Sequence, residues 1–304
     1  MAILRLIRFP NLLIVALTQY LLQYIVISPA FETSGIEKAL DDFHFFLLVL
    51  STISITISGY IINDISDYEL DLINKPHKLI INKSISKAAA FKLYHLNNLI
   101  GFLISLYLAI YIKNIPLVLI YPGAIILLYY YSKSLKKKVF WGNLTVAVFC
   151  AFVAGIVLFA ERIGFFQLSV EQFHNVKMIF TAYFVFALLS TLYREIIKDI
   201  EDVKGDLQLD CETIPIKFGI PFAKKTALIF GTILLLFIVW WMILQISFFE
   251  SKKLAIVVFV FNLIPVMISI FYLYKSNTKS HFSRSSAIAK YIMVSGLFYL
   301  FFLI

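Results

Sequence analysis

Long apolar runs separated by polar stretches make up more than half of the chain. They can be drawn at 11–30, 43–62, 95–112, 115–131, 142–160, 178–197, 226–248, 253–274 and 287–304. Each is roughly 17–23 residues long, and about 20 helical residues cross ~30 Å of hydrocarbon. A segment in lipid must satisfy its own backbone hydrogen bonds, which favours helices. The pattern therefore predicts an all-α polytopic membrane protein with about nine transmembrane helices in one bundle. No linker or low-complexity segment interrupts it, so residues 1–304 are read as a single domain. Composition points the same way: 61% hydrophobic and 15% charged residues leave too little polar surface for a soluble chain of 304. The 30 Phe and 17 Tyr exceed what spanning requires, and some are expected to line a central cavity.

The net charge of +9 would fit nucleic acid until the charges are placed. With the N-terminus and the loops after the second, fourth, sixth and eighth runs on one side, that side holds 21 of the 27 Lys and Arg. The exceptions are Lys38, Lys113, Arg162, Lys177, Lys252 and Lys253. By the positive-inside rule the N-terminus is cytoplasmic and the C-terminus outside. The excess charge is then a topology signal, and no nucleic-acid partner is expected. Arg5 and Arg8 ahead of the first run resemble a signal peptide, but Ser28-Pro29-Ala30 is a poor cleavage site, so the run reads as a retained helix. Outside loops such as Glu32 to Asp42 read as solvated connectors. Cys150 and Cys211 suggest neither a disulfide nor a thiolate metal site.

Against this background one polar pattern occurs twice. Asp64-Ile65-Ser66-Asp67-Tyr68-Glu69-Leu70-Asp71 and Asp199-Ile200-Glu201-Asp202-Val203-Lys204-Gly205-Asp206 share Asp-Ile-x-Asp-x-x-x-Asp in one register. Each copy closes an apolar run on the predicted cytoplasmic side. Helical positions i, i+3 and i+7 share a face, so each copy presents a stripe of carboxylates at the membrane boundary. Like charges at that spacing repel, and acids near a bilayer are kept mainly for function. Two such stripes facing each other would make an oxygen-only site for Mg²⁺ and a diphosphate, because Mg²⁺ takes few protein carboxylates and completes its shell with water and phosphate oxygens. A single acidic helix end is as readily a solvated surface; two in matching register favour the metal reading.

Further short motifs accompany the two acidic ones, Asn63-Asp64-x-x-Asp67-x-x-x-Asp71 and Asp202-x-x-x-Asp206: Asn74-Lys75-Pro76, Tyr129-x-x-x-Lys133, Gly142-Asn143 and Thr213-Ile214-Pro215. The resemblance of this set, in its order, is to the UbiA superfamily of intramembrane prenyltransferases. It implies Mg²⁺ as cofactor, with Asn63, Asp67, Asp202 and Asp206 as ligands and Asp64, Asp71 and Asp199 in support. It implies that Tyr129 and Lys133, with Asp67 and Asp202, carry the catalysis, and that Lys75, Lys78, Lys133 and Arg194 bind the diphosphate. Many members have Arg-Pro-Leu after Asn-Lys-Pro; here His77-Lys78-Leu79 stands instead, and Lys78 lacks the bidentate fork of Arg. Physically, metal and cations neutralise the departing diphosphate, while a bilayer-embedded pocket keeps water from the allylic cation. Tyr129, Tyr130 or Tyr193 would stabilise that cation, at ~0.5–2 kcal/mol per ring. For Tyr130 and Tyr131 an interfacial aromatic belt is an equal reading. Lys136, Lys137 and Lys138 read as a topology and lipid-headgroup cluster.

The expected reaction is transfer of a polyprenyl group from its diphosphate to a lipophilic acceptor in the cell membrane, at a site open to the cytoplasm. The unbroken second motif is most similar to the branch that makes digeranylgeranylglyceryl phosphate, which implies a geranylgeranyl donor and geranylgeranylglyceryl phosphate as acceptor. An aromatic quinone precursor such as 4-hydroxybenzoate is the alternative. A transporter or lipid carrier would place its acids near the bilayer midplane within broken helices, whereas these lie at predicted helix ends on one side.

Overall fold

The structure is a computed structural model describing residues 2–74, 76–208, 211–247 and 250–303, apart from the side chains of Asn74 and Lys78. The principal helices are α1 (Phe9–Ser34), α2 (Asp42–Ser66), α3 (Lys87–Tyr111), α4 (Pro116–Lys133), α5 (Trp141–Ala160), α6 (Val170–Gln208), α7 (Ile220–Ser247), α8 (Lys252–Lys275) and α9 (Lys279–Ser295). Among the described residues α1, α2, α3, α5, α6, α7 and α8 are long and apolar enough to cross a membrane. The remaining two apolar runs also become helical but fall short of that standard. The run at 115–131 forms α4, whose last turns carry Tyr129, Tyr130, Tyr131, Ser132 and Lys133. The run at 287–304 is divided: α9 stops at Ser295 and a short helix, Phe298–Phe301, follows.

Local chemistry explains many of the boundaries. Asp41 caps α2 by accepting from His44 N at 2.8 Å, and Ser86 caps α3 by accepting from Ala89 N at 3.2 Å. Such caps satisfy backbone donors that a helix start leaves open. In α1 the turn Leu22–Ile27 widens to a π-helix just ahead of Pro29, and in α8 Phe259–Leu263 does the same ahead of Pro265. Proline has no N–H for the carbonyl four residues back, and a widened turn accommodates the missing bond.

The chain divides into two compact units, Met1–Lys136 with Ile156–Phe173, and Lys137–Gly155 with His174–Ile304. In the first, α2 packs along α3 and α4, and α1 lies on α2. The α2–α3 contact is close at Gly101, where a Cβ would fall 2.6 Å from Ile55 Cδ1 and where Ser51 Oγ donates to the carbonyl at 2.9 Å. In this unit the connector after α1 is more than a solvated loop. Leu40 is buried, and the buried Glu161 carboxylate accepts from Ala39 N at 2.8 Å, Leu40 N at 3.3 Å and Gln23 Nε2 at 3.1 Å. In the second unit α7 packs on α8, α8 on α9, and the short helix Ile214–Phe218 on α7.

Candidate active site

The first acidic motif stands over a small apolar core. Ile61, Ile62 and Ile65 of α2 are buried with Leu6, Ile81, Ala90 and Tyr94, which leaves Asn63, Asp64 and Asp67 half-buried on the remaining faces. The motif does not lie on one uninterrupted helix. α2 ends at Ser66, Asp67 sits at φ −89°, ψ 4°, and the helix Tyr68–Asn74 begins at the next residue. Two backbone bonds carry the register across the break: Asp67 N donates to Asn63 O and Asp71 N to Asp67 O, both at 2.8 Å. Helical spacing is thus kept, and the sparsely populated bridge conformation, common at functional sites, falls on the central aspartate.

Each of two acids in this motif already has a cation. Arg8 Nη2 donates to Asp64 Oδ1 at 2.8 Å, and the guanidinium lies 4.5 Å from the Tyr60 ring centroid. Tyr60 OH in turn accepts from Asn11 Nδ2 at 3.3 Å. Burial opposes the guanidinium charge most strongly, but Asp64 together with Tyr60 and Tyr131 outweighs it and holds the Arg8 pKa above its ordinary value. Arg8 adopts a left-handed conformation, φ 51°, at the start of α1. Asp67 Oδ2 accepts from Asn63 Nδ2 at 2.7 Å, while Asp67 Oδ1 is paired with the Lys136 ammonium. Asn63 Oδ1 is buried with no hydrogen-bond partner among the described residues.

The second motif, unlike the first, lies within a continuous helix. Ile196, Ile197 and Ile200 of α6 enter a core with Tyr193, Ile214, Ala223, Ala227, Leu273, Phe282 and Ala289. Asp202 and Asp206, one turn apart, are themselves buried. Asp199 Oδ2 accepts from Asn143 Nδ2 of α5 at 2.8 Å. One turn earlier, Glu195 pairs with Arg194 at 2.5 Å and with Lys198 at 3.8 Å.

Of the other expected site residues, Arg194 pairs with Glu195, and its buried Nε has no partner among the described residues. Tyr193 is fully buried, its hydroxyl is 2.9 Å from Ser269 Oγ, and it packs where a Cβ on Gly231 would come within 2.9 Å of its Cε2. Tyr129 and Lys133, one turn apart at the end of α4, are exposed. Lys133 forms no hydrogen bond or ion pair among the described residues, which leaves its ammonium available. Lys75 and the side chain of Lys78 lie outside the described residues.

Among the described residues no three His, Cys, Asp or Glu side chains converge as a metal cage. A Mg²⁺ bound together with a diphosphate does not need one, since it takes one or two carboxylates and finishes its shell with water and phosphate oxygens. Asn63 Oδ1 beside Asp67 is a donor set of that kind.

The UbiA prenyltransferase family matches residues 26–294. The chain belongs to this family. A curated relative, the digeranylgeranylglyceryl phosphate synthase of Sulfurisphaera tokodaii, is 35% identical over 195 residues, covering 63% of this chain and 64% of that protein. The match thus spans just under two-thirds of the relative's length. A solved structure described as digeranylgeranylglyceryl phosphate synthase superposes with a TM-score of 0.65 at 25% identity, covering 98% of this chain and 96% of that one. A UbiA homolog from Archaeoglobus fulgidus bound to GPP and Mg²⁺ gives a TM-score of 0.57 over 100% of this chain and 99% of that one. At 18% identity this last likeness speaks for the fold alone.

Two cations that meet the UbiA motif acids here, Arg8 and Lys136, escape a reading by motif. Each sits in a short basic stretch that also serves topology, and nothing in its immediate neighbours singles it out. The one available signal for Lys136 is its position a turn beyond Lys133.

Proposed function

We propose that this chain is an Mg²⁺-dependent prenyltransferase that moves a geranylgeranyl group from its diphosphate to the glycerol hydroxyl of geranylgeranylglyceryl phosphate. The supporting observation is the Asn63–Asp67 pair, a carboxylate with a buried, unbonded amide oxygen beside it at the end of a membrane-spanning helix. A second acidic motif in the same register belongs to a second such helix. The curated relatives are named digeranylgeranylglyceryl phosphate synthase, which supports this choice of donor and acceptor. The full proposal is one domain of nine spans with a cytoplasmic N-terminus, in the cell membrane, whose cytoplasm-facing site draws both substrates from the bilayer.

In this reading the metal supplies charge neutralisation for the leaving diphosphate. Asn63 Oδ1 and Asp67 would hold it, and Asp202 and Asp206 would supply further oxygens for metal bound with the diphosphate. Asp64, Asp71 and Asp199 act behind them. Asn143, by donating to Asp199, keeps that carboxylate oriented. Lys133, Lys75 and Lys78 are cations for the phosphate oxygens, and Arg194 contributes through its free Nε. The allylic C–O bond breaks as negative charge gathers on the diphosphate, and the acceptor hydroxyl oxygen forms the new C–O bond as its proton passes to the released diphosphate or to water. Tyr129 presents a ring face to the cationic carbon, and the apolar helices exclude water that would quench it. The chain-specific test offers the purified protein geranylgeranyl diphosphate with Mg²⁺ and either geranylgeranylglyceryl phosphate or 4-hydroxybenzoate. An ether product with the former alone is expected; a product with the aromatic alone would overturn the acceptor assignment.

A further inference from the structure

The Lys136 ammonium occupies an oxygen of Asp67, one of the acids that the prenyltransferase reading assigns to Mg²⁺. α4 ends at Lys133, and the short 3-10 turn Leu135–Lys137 that follows brings Lys136 back against Asp67 of the first motif. Its neighbours Lys137 and Lys138 are exposed, as a topology or headgroup cluster should be. Lys136 is not: its side chain is 13% exposed and that of Asp67 15%. Asp67 Oδ2 is already committed to Asn63 Nδ2, so the ammonium covers the oxygen that remains. Beside the pair, Asn63 Oδ1 is buried without a donor. A purely structural ion pair gains nothing from a neighbouring amide oxygen left unbonded, because such an atom costs its full desolvation. A second, divalent cation next to this ammonium would be repelled by it, and the repulsion is stronger in partly buried surroundings than in water.

We infer that Lys136 is an exchangeable countercation of Asp67. It holds the carboxylate in the metal-free enzyme and yields it to Mg²⁺ when a diphosphate arrives to take the ammonium. The inference rests on the prenyltransferase reading of the site. The four-carbon stem of lysine, with three rotatable donors at its end, suits such a transfer. Lys136 is then a positioning residue in one state and a phosphate contact in the other. No bond to the metal is required of it at any stage.

The exchange makes opposite demands on metal and donor, which a structural role would not. Mn²⁺ binding to the full-length protein in detergent, read by electron paramagnetic resonance without any donor, is compared among wild type, Lys136→Met and Lys136→Arg. Lys136→Met should bind Mn²⁺ about tenfold tighter, the factor that corresponds to ~1.4 kcal/mol. Lys136→Arg should stay within about twofold of wild type, since it keeps the competing charge. The Lys136→Met KM for geranylgeranyl diphosphate should rise roughly tenfold and be restored in Lys136→Arg, as expected when a phosphate contact worth ~1.4 kcal/mol is removed. Lys136→Gln serves the same comparison if methionine at this position prevents folding. Unchanged or weaker Mn²⁺ binding in the neutral variants, with Mg²⁺-dependent transfer intact in wild type, would overturn the exchange and leave the function standing. Wild-type transfer without any divalent ion would instead overturn the function, and the exchange with it.

Discussion

Asn63→Asp is the sharpest perturbation of the first motif, because it changes one amide to a carboxylate and almost nothing in shape. In the structure Asn63 Nδ2 donates to Asp67 Oδ2 at 2.7 Å. The substitution deletes that bond, worth ~1 kcal/mol net, and sets two carboxylates in contact. At about 4 Å and an effective dielectric of ~20 the repulsion is ~4 kcal/mol. Lys136 on Asp67 and uptake of a shared proton offset part of it, so a net cost of about 2–4 kcal/mol is expected for the metal-free protein. Mg²⁺ reverses the sign, since two adjacent carboxylates attract a divalent cation more strongly than one carboxylate and an amide. The assay is thermal unfolding of the full chain in detergent, once in chelator and once in saturating Mg²⁺. The variant should melt below wild type in chelator and gain more from Mg²⁺ than wild type does. A Mg²⁺-induced gain equal to or smaller than that of wild type would refute the placement of Asn63 Oδ1 and Asp67 as a metal donor set.

Other substitutions probe the supporting structure. Gly231→Ala should destabilise the protein by ~1–3 kcal/mol by overpacking, since the new Cβ falls 2.9 Å from the Tyr193 ring and 3.1 Å from Ile270; chemical denaturation would read this. Asn143→Ala frees Asp199 of its donor and should lower kcat roughly tenfold or more with folding preserved, the usual scale for a residue that orients a ligand. Burial raises the Glu161 carboxyl above its ordinary value of 4.5, against the bonds from Ala39 N, Gln23 and Leu40 N. The folded state then holds that proton more tightly than the unfolded chain does, so stability falls as pH rises from about 4.5 through the folded pKa. In Glu161→Gln this part of the pH dependence should vanish, so that the variant's stability relative to wild type improves with rising pH; a pH-independent difference would contradict it.

How much of this was legible in the sequence varies by element. The apolar runs gave the helices well, because lipid leaves the backbone no alternative. They were weaker at the margins, where tyrosines dilute the end of α4 and where α9 stops at Ser295. The break at Asp67 was invisible, since the spacing of Asn63, Asp67 and Asp71 is that of an unbroken helix and the backbone bonds preserve it. Acid positions followed from the repeated motif, but their partners did not. Arg8 reaches Asp64, and Lys136 reaches Asp67, from elements distant in sequence. The contact of the Tyr193 hydroxyl with Ser269 has no local mark in the sequence. Glu161 was overlooked because its donors, Gln23, Ala39 and Leu40, lie more than a hundred residues away.

The central claim, that both acidic motifs serve one Mg²⁺-dependent transfer, is tested most directly by a double-mutant cycle. Prenyl transfer to geranylgeranylglyceryl phosphate is measured with Mg²⁺ for wild type, Asp67→Ala, Asp202→Ala and the double variant. Groups acting on one diphosphate are strongly non-additive. Each single variant should therefore lose roughly a hundredfold or more in kcat/KM, with the double variant little worse than either, by the same non-additive logic. Full Mg²⁺-dependent activity in either single variant, or losses that simply multiply in the double, would contradict it.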